Sequence, residues 1–418
     1  MRVFFVNRFF CPDESATSRI LSMLTESLAG EGREVHVLTS RHLHDQPHIE
    51  LPTDSAERGA VVRRLWSTRF GRGTQAGRIL DYLTFHLGVF FELLRLGRRG
   101  DVCVVCTDPP LVSATAAIAA SLKGIKTIEW SFDLFPEVAI DLGVIPQGPI
   151  ARLLLALRDA AYRRASCIVV PIRRMGEALT RRGIDPDRIA VVPNWSDGDA
   201  IRPLDREESP LRREWGLEGR FVVAYSGNLG RAHEFDTLLG VAERLRSRKD
   251  VAFLLIGGGH KRERVAAAVR RRGLENVSLK PLQTAERLSD TLGAADLHVV
   301  SLLPEMEPYV IPSKFYGIAA AGRPTLFIGD PAGEIAELLE RGDCGRAVRV
   351  GDVDGATRFV EELAADRSAA ADMGRRARSL FESRFTRRIA TAEWSRILRR
   401  LAPAETDLVA ARARKARR

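Results

Sequence analysis

The chain is poor in cysteine, and its five cysteines, Cys11, Cys103, Cys106, Cys167 and Cys344, are scattered and odd in number. That argues against a disulfide framework and for a reducing compartment. Cys103 and Cys106 form a C-x-x-C, but it falls in a predicted strand over 102–106, where side chains three apart point to opposite faces. No second cysteine pair or histidine cluster accompanies it, so zinc is not expected. There is no leader-like apolar core at the start, because Met1-Arg-Val-Phe-Phe-Val reads as a first strand. Long uninterrupted apolar runs are also missing. Residues 79–96 come nearest, but Asp81, His86, Glu92 and Arg95 interrupt them, each at a cost of ~2–3 kcal/mol near a bilayer centre. A transmembrane span is therefore rejected. Arg63, Arg64, Arg69, Arg72 and Arg78 precede this segment, and Arg95, Arg98 and Arg99 follow it. Basic flanks on an apolar helix suit the plane of a membrane surface; a core helix with an arginine rim is the alternative. Acidic residues are outnumbered 64 to 54, for a net charge of +10. A basic chain suits anionic partners: nucleic acid, anionic lipid or phosphorylated metabolites. No nucleic-acid motif or aromatic–basic interleaving is present, which disfavours the first.

What is present is alternation. The 418 residues favour two or three domains. Short apolar strands are predicted at 3–7, 34–39, 61–66, 102–106, 126–130, 166–171 and 189–193, separated by segments of helical period. A polar, Pro-punctuated linker follows at 199–219. Strands resume at 222–225, 252–256, 277–279, 297–302 and 324–328, again with helices between them. Such βαβ units predict α/β folding with two Rossmann-like domains. The expected divisions are 1–205, 206–385, a helix at 386–402 packing back on the first domain, and a basic tail at 403–418. The first strand–helix loop lacks G-x-G-x-x-G, so no dinucleotide site is expected there.

The second half carries the chemistry. Ser226-Gly-Asn-Leu-Gly-Arg231 and Gly257-Gly-Gly259 follow strands, and His260, Lys261 and Arg262 come directly after the second loop. Glycine lets backbone approach a ligand and form N–H nests for anions. Ile311-Pro-Ser-Lys314 then opens a predicted helix. Pro312 suits its first turn, and Ser313, Lys314 and Phe315 offer N–H groups without helical partners. Lys314 adds a full positive charge. All three features belong at carboxyl ends of strands in one sheet, and together they predict a phosphate-bearing ligand. In the first half, Asp133 and Glu137 end a strand on the corresponding rim. They read equally as a helix cap with first-turn charge.

These segments in this order resemble the family-4 glycosyltransferases of GT-B architecture, over nearly the whole chain. The carriers are Asp101–Pro110, Asp133–Glu137, Val192-Pro-Asn-Trp-Ser-Asp197, Tyr225-Ser-Gly-Asn-Leu-Gly230, Ile256-Gly-Gly-Gly259, Ile311-Pro-Ser-Lys-Phe-Tyr-Gly317 with Ala321-Gly-Arg-Pro324, and Cys344-Gly345 with Gly351-Asp352. The set is most similar to bacterial polysaccharide-building enzymes, including colanic-acid and O-antigen transferases. The resemblance implies two facing Rossmann-like domains across a cleft, a nucleotide-sugar donor in the second, no cofactor, no obligatory metal, and retention of anomeric configuration. It implies donor contacts at Gly227, Asn228, Arg231, Gly258, Lys261, Arg262, Leu282, Glu307, Pro312, Ser313 and Tyr316. Lys314 would stabilise the leaving diphosphate, and Asp133 or Glu137 would orient the acceptor or act as base. The implied partners are a nucleotide sugar, a polyprenyl-diphosphate-linked saccharide acceptor and the cytoplasmic membrane surface. The implied location is cytoplasmic, peripheral on the inner face of that membrane. The chain departs from the family at four places. Many members have Arg where Asn228 stands, Lys where His233 stands, and a Glu pair where Tyr309 and Gly317 stand. Two other readings stay open: a nucleotide-sugar epimerase, and a non-catalytic scaffold that has lost its ribose and diphosphate contacts.

Overall fold

The computed structural model describes residues 1–401 apart from 45, 47, 72, 73, 206 and 207. The basic tail and Arg72 lie outside the described residues. Contacts divide the chain into two compact units. One comprises residues 1–140, 145–192 and 390 onward; the other comprises 141–144 and 193–389.

The first unit is built on β1 (Arg2–Val6), β2 (Glu34–Ser40), β3 (Asp54–Glu57), β4 (Ala60–Leu65), β5 (Val102–Cys106), β6 (Lys126–Trp130), β7 (Cys167–Val170) and β8 (Ile189–Val191). Their order is β3-β4-β2-β1-β5-β6-β7-β8. Only β3 pairs antiparallel, against β4. It was invisible in the sequence because Asp-Ser-Ala-Glu has no apolar alternation, which an edge strand does not need. The central strands are buried on both faces, as helix-covered parallel strands must be. Val3 stands opposite both Val35 and Val102.

The second unit holds β9 (Phe221–Ser226), β10 (Val251–Ile256), β11 (Val277–Lys280), β12 (Leu297–Ser301), β13 (Thr325–Ile328) and β14 (Gly345–Val348). They are parallel, in the order β11-β10-β9-β12-β13-β14. The chain steps outward from β9 to β11, then restarts on the other side of β9 at β12. Doubly wound sheets bind ligands at such a reversal, outside the carboxyl ends of the strands. The expectation of α/β folding with two Rossmann-like domains therefore holds.

Two helices bear on function. Gln75–Leu96, capped by the Thr74 side chain on the Gly77 N–H, has two apolar faces. Phe85, Val89 and Leu93 are buried in the core, while Ile79, Leu80, Leu83, Leu87 and Phe91 are exposed at helical spacing. Among the described residues no helix is long and apolar enough to cross a membrane. The last helix, Arg387–Leu401, buries Trp394 against Trp130 of β6, with ring centroids 4.7 Å apart. Its Leu401 carbonyl accepts from Lys126 Nζ at 3.0 Å.

Beneath this sheet end, Glu129 of β6 is 1 % exposed and its Oε1 has no hydrogen-bond donor. Burial pushes its pKa from 4.5 up to about 8. A buried carboxyl binds its proton more tightly in the folded chain than in the unfolded one. Its contribution is therefore fully present below about pH 4.5 and is lost as pH rises through about 8. The Glu129→Gln variant should lack this loss. Denaturation at pH 5 and pH 9 should show the variant gaining on the parent only at the higher pH. Parallel behaviour at both would show that Glu129 ionises freely.

Candidate active site

In the second unit the glycine loops after β9 and β10 lie back to back. Gly227 N–H donates to Ile256 O at 2.9 Å, and Leu229 N–H donates to Gly258 O at 2.7 Å. A Cβ on Gly257 (φ +136°) would fall 2.0 Å from the Gly227 carbonyl oxygen, and one on Gly259 would fall 2.1 Å from Asn228 Oδ1. These two positions admit only glycine. A Cβ on Gly258 would meet nothing within 4 Å, so that backbone faces open space. Tyr225 donates its hydroxyl to Asn228 O at 2.8 Å and braces the first loop from below.

Lys314 enters this corner from the segment after β12. Its Nζ lies 3.4 Å from the centroid of the Tyr225 ring. Its Nζ and Cε are both 3.6 Å from where a Gly227 Cβ would sit. The ammonium is buried and has no hydrogen-bond acceptor. Burial pulls its pKa well below the ordinary lysine value. A cation on an aromatic face is attracted to the ring, but a buried ammonium with three idle donors is costly until an anion meets it.

The surroundings of Lys314 correct several expectations. Its helix spans only Lys314–Ala320, seven residues, with Ser313 as the cap and Pro312 outside it. Phe315 N–H already donates to Pro312 O and Tyr316 N–H to Ser313 O, both at 3.2 Å. The N–H of Phe315, one of the three expected to be open, is thus already used, and the full charge at this turn comes from the lysine side chain. Tyr316 is 1 % exposed and packs edge-on against Phe315 and Phe385, so it is a core residue and no donor contact. Glu307 is 2 % exposed with its carboxylate packed against Gly333. Lys261 donates its ammonium to His233 O, and Arg262 donates to the carbonyls of Gly257 and Lys280. Both cations fasten the glycine loops and leave Lys314 as the uncommitted charge among them. Asn228 and Arg231 are exposed on the first loop, and Leu282 is 60 % exposed just beyond β11. His233 donates from Nδ1 to Ser301 O at 2.6 Å, since a carbonyl can only accept, which leaves Nε2 as an acceptor. Burial first, then Lys314, holds its pKa down to about 3. It is therefore a neutral ring and does not replace the lysine that many members carry. Gly317 faces Leu292, Ile201 and Ser196 at ordinary contact distance.

The first unit gathers a different set at the ends of β1, β2, β5 and β6. Arg8 lies 3.6 Å from Asp81 and stacks over Tyr82. Asp13 accepts from Ser15 N–H and His44 N–H, at 2.9 and 2.6 Å. Asp108 leaves β5 here. Burial raises its carboxyl to about 6, although Arg8 and His44 pull the other way, and Asp133 and Asp13 add to the rise. Asp133 is also raised by burial, against a hydrogen bond from Thr107. Asp108 was missed by sequence reasoning, although it lay inside the Asp101–Pro110 segment. Its signal was a carboxylate directly at a strand's carboxyl end, followed by two prolines. Glu137 is corrected in the opposite sense. Arg158 holds it in a buried ion pair, with Arg182 at 3.7 Å and Asp159 completing the network. Both guanidiniums meet Oε1, which anchors the loop, while Oε2 is buried without a hydrogen-bond partner.

Known proteins match this layout. Residues 15–195 match the family described as Glycosyl transferase 4-like domain, and residues 220–366 match Glycosyl transferases group 1. A probable glycosyltransferase, WbjE of Pseudomonas aeruginosa, is 25% identical over 370 residues, 87% of this chain and 89% of its own. WcaI of Escherichia coli, a putative colanic acid biosynthesis glycosyl transferase, is 24% identical over 79% of this chain and 84% of its own. Among solved structures, sucrose-phosphate synthase of Thermosynechococcus elongatus superposes with a TM-score of 0.76 at 16% identity, covering 96% of this chain and 99% of its own. Anabaena HepE in complex with UDP-glucose gives 0.71 at 16% identity, over 95% and 99%. At such identities these likenesses concern the fold.

Proposed function

The chain belongs to the glycosyltransferases that join a 4-like domain to a group 1 domain, and we propose that it moves a sugar from a nucleotide-sugar donor, with retention and without a metal, to a lipid-linked or saccharide acceptor in cell-surface polysaccharide biosynthesis. One observation carries the reading: the buried Lys314 ammonium beside Gly227, without an acceptor, at the point where the strand order of the second sheet reverses. A diphosphate supplies the acceptor oxygens it lacks.

The chemistry follows from the leaving group. A nucleoside diphosphate departs with growing negative charge, and a fixed cation in a dry corner stabilises that charge more than water can. Lys314 provides the cation, and the open backbone at Gly258 lets the phosphates approach. Retention by a front-side path brings the acceptor hydroxyl to the face the phosphate is leaving, and the phosphate takes its proton. The acceptor belongs to the first unit, where Asp133 and Asp108 orient its hydroxyl. The name of WcaI, a putative colanic acid biosynthesis glycosyl transferase, supports a polysaccharide product. The exposed stripe of helix Gln75–Leu96, with exposed Arg95, Arg98 and Arg99 at its end, supports peripheral docking on an anionic membrane surface.

A thermal-shift screen against UDP-, GDP- and TDP-sugars tests the donor half. A donor at about 100 times its Kd should stabilise the protein by about 2.7 kcal/mol. No response to any sugar nucleotide favours a scaffold. Conversion of the donor without an acceptor favours an epimerase. Transfer that persists in chelator, with the product's anomeric configuration read by NMR, tests the remaining terms. Flotation with anionic vesicles at low salt tests the membrane term: the parent should float and Leu83→Glu should not, whereas a parent that stays in the soluble fraction rejects it.

A further inference from the structure

Asp133 lies midway along the segment Ser131–Glu137 that follows β6. Both its flanks are held by one helix, Pro149–Arg164. Tyr162 and Ser131 share a hydroxyl hydrogen bond of 2.7 Å. One turn earlier on the helix, Arg158 reaches the other flank. Its Nη1 donates to Phe135 O at 3.5 Å, and its Nη2 donates to Glu137 Oε1. Positions four apart share a helix face, so the two anchors come as a fixed pair. The Arg158 guanidinium stands 5.1 Å from the centroid of the Tyr162 ring, and its Nε donates to Asp159 Oδ1 at 2.8 Å. Thr107, directly after β5, accepts from Phe132 N–H at 3.2 Å and hydrogen-bonds the Asp133 carboxyl.

Arg158 is 2 % exposed, and each of its three guanidinium nitrogens has an acceptor. A buried ion pair is weak support for stability, because apolar residues of like volume often serve as well. What a planar fork of fixed donors adds is geometry. Thr107, Phe135, Arg158 and Tyr162 also line one cavity of about 10 Å³, room for about one water. The segment therefore has almost no empty space to settle into while Arg158 is in place.

We propose that Arg158 is a positioning residue: through Phe135 and Glu137 it fixes the segment that carries Asp133, and so sets how that carboxyl meets the acceptor hydroxyl. The inference rests on the proposed role of Asp133 and adds the group that holds it in place. Arg158 acts only through the segment and touches no substrate.

Transfer to water is the assay, with the UDP-, GDP- or TDP-sugar that stabilises the parent. The water oxygen bonds to the anomeric carbon, the bond from that carbon to the phosphate oxygen breaks, and the proton leaves on the nucleoside diphosphate. Arg158→Lys keeps the charge and loses the fork. It should lower kcat by about 10-fold or more, with donor KM within about twofold of the parent. Arg158→Met with Glu137→Leu replaces the pair by apolar groups, and Asp159 keeps Arg182 at 2.7 Å. This double variant should melt close to the parent and still show the loss of turnover. In an Asp133→Asn background Arg158→Lys should cost no more than about twofold, whereas general damage would cost the same in both backgrounds. Amide hydrogen exchange of residues 131–137 in the ligand-free protein should quicken by about 10-fold or more in Arg158→Lys. Parental turnover in either variant, additive losses in the cycle with Asp133→Asn, or unchanged exchange would overturn the proposal. A parent that binds no sugar nucleotide strikes the transferase reading instead, and the exchange comparison still decides whether Arg158 holds the segment.

Discussion

Lys314→Ala lowers kcat by about 10²-fold or more in the expected result, because a fixed donor aimed at developing charge is worth ~3–4 kcal/mol in a dry site. The loss should fall on turnover more than on donor KM, since the charge on the leaving phosphate grows in the transition state. A second signature separates this from simple damage. The ammonium is buried without an acceptor, so Lys314→Met should make the ligand-free protein more stable while disabling it. The pH dependence has a fixed sign. Burial lowers the folded-state pKa of Lys314 below 10.5, so below that value the unfolded chain holds more protons. Stability from this residue is present above pH 10.5 and is lost as pH falls through the lowered folded value. Lys314→Met should remove that slope. A bound nucleoside diphosphate favours the protonated form of Lys314, so any proton taken up on binding will show in calorimetry in two buffers of different ionisation enthalpy. Turnover within about threefold of the parent, roughly 0.7 kcal/mol, would reject Lys314 as the leaving-group cation.

Trp394→Ala should destabilise the first unit by about 3–5 kcal/mol, the range for deleting a large buried aromatic. Trp394 is 0% exposed and meets Trp130 edge-on, while Trp130 in turn stacks on Phe132, next to Asp133. The last helix therefore supports the floor under the acceptor loop. For a unit of this size the loss corresponds to a fall in Tm of roughly 6–20 °C. Calorimetry should show the shift in one transition, with the melting of the glycine-loop unit unmoved. Trp394→Phe should recover most of the stability, because the indole Nε1 has no hydrogen-bond partner to lose. An Ala variant within about 1 kcal/mol of the parent would show that the cavity closes by itself.

Much of this molecule was legible before folding. The strands Val102–Cys106 and Lys126–Trp130 agree with their sequence bounds and the helix Arg387–Leu401 falls within one residue of its own, because apolar period and flanking Gly, Lys and Pro are local signals. The pairing of Gly227 with Lys314 was anticipated, since both had to leave one sheet at its carboxyl edge. Other expectations failed where a residue's fate depended on distant neighbours. Tyr316 looked like a donor contact beside Lys314, yet Phe385, far along the chain, draws it into the core. Glu137 looked like Asp133, yet Arg158 and Arg182 claim it. Lys261 and Arg262 looked like phosphate ligands, yet Lys261 donates to the His233 carbonyl and Arg262 to the carbonyls of Gly257 and Lys280.

By itself the sequence determined the order of the elements, the two doubly wound sheets and the strand ends where anionic chemistry had to gather. Hydrophobic period and glycine placement act over a few residues and need no knowledge of the partner. Only the tertiary structure decided which charges remain available. Whether a lysine, arginine or carboxylate is spent on a neighbour or kept for a ligand depends on burial and on acceptors brought from elsewhere in the chain, and one-dimensional spacing does not encode either.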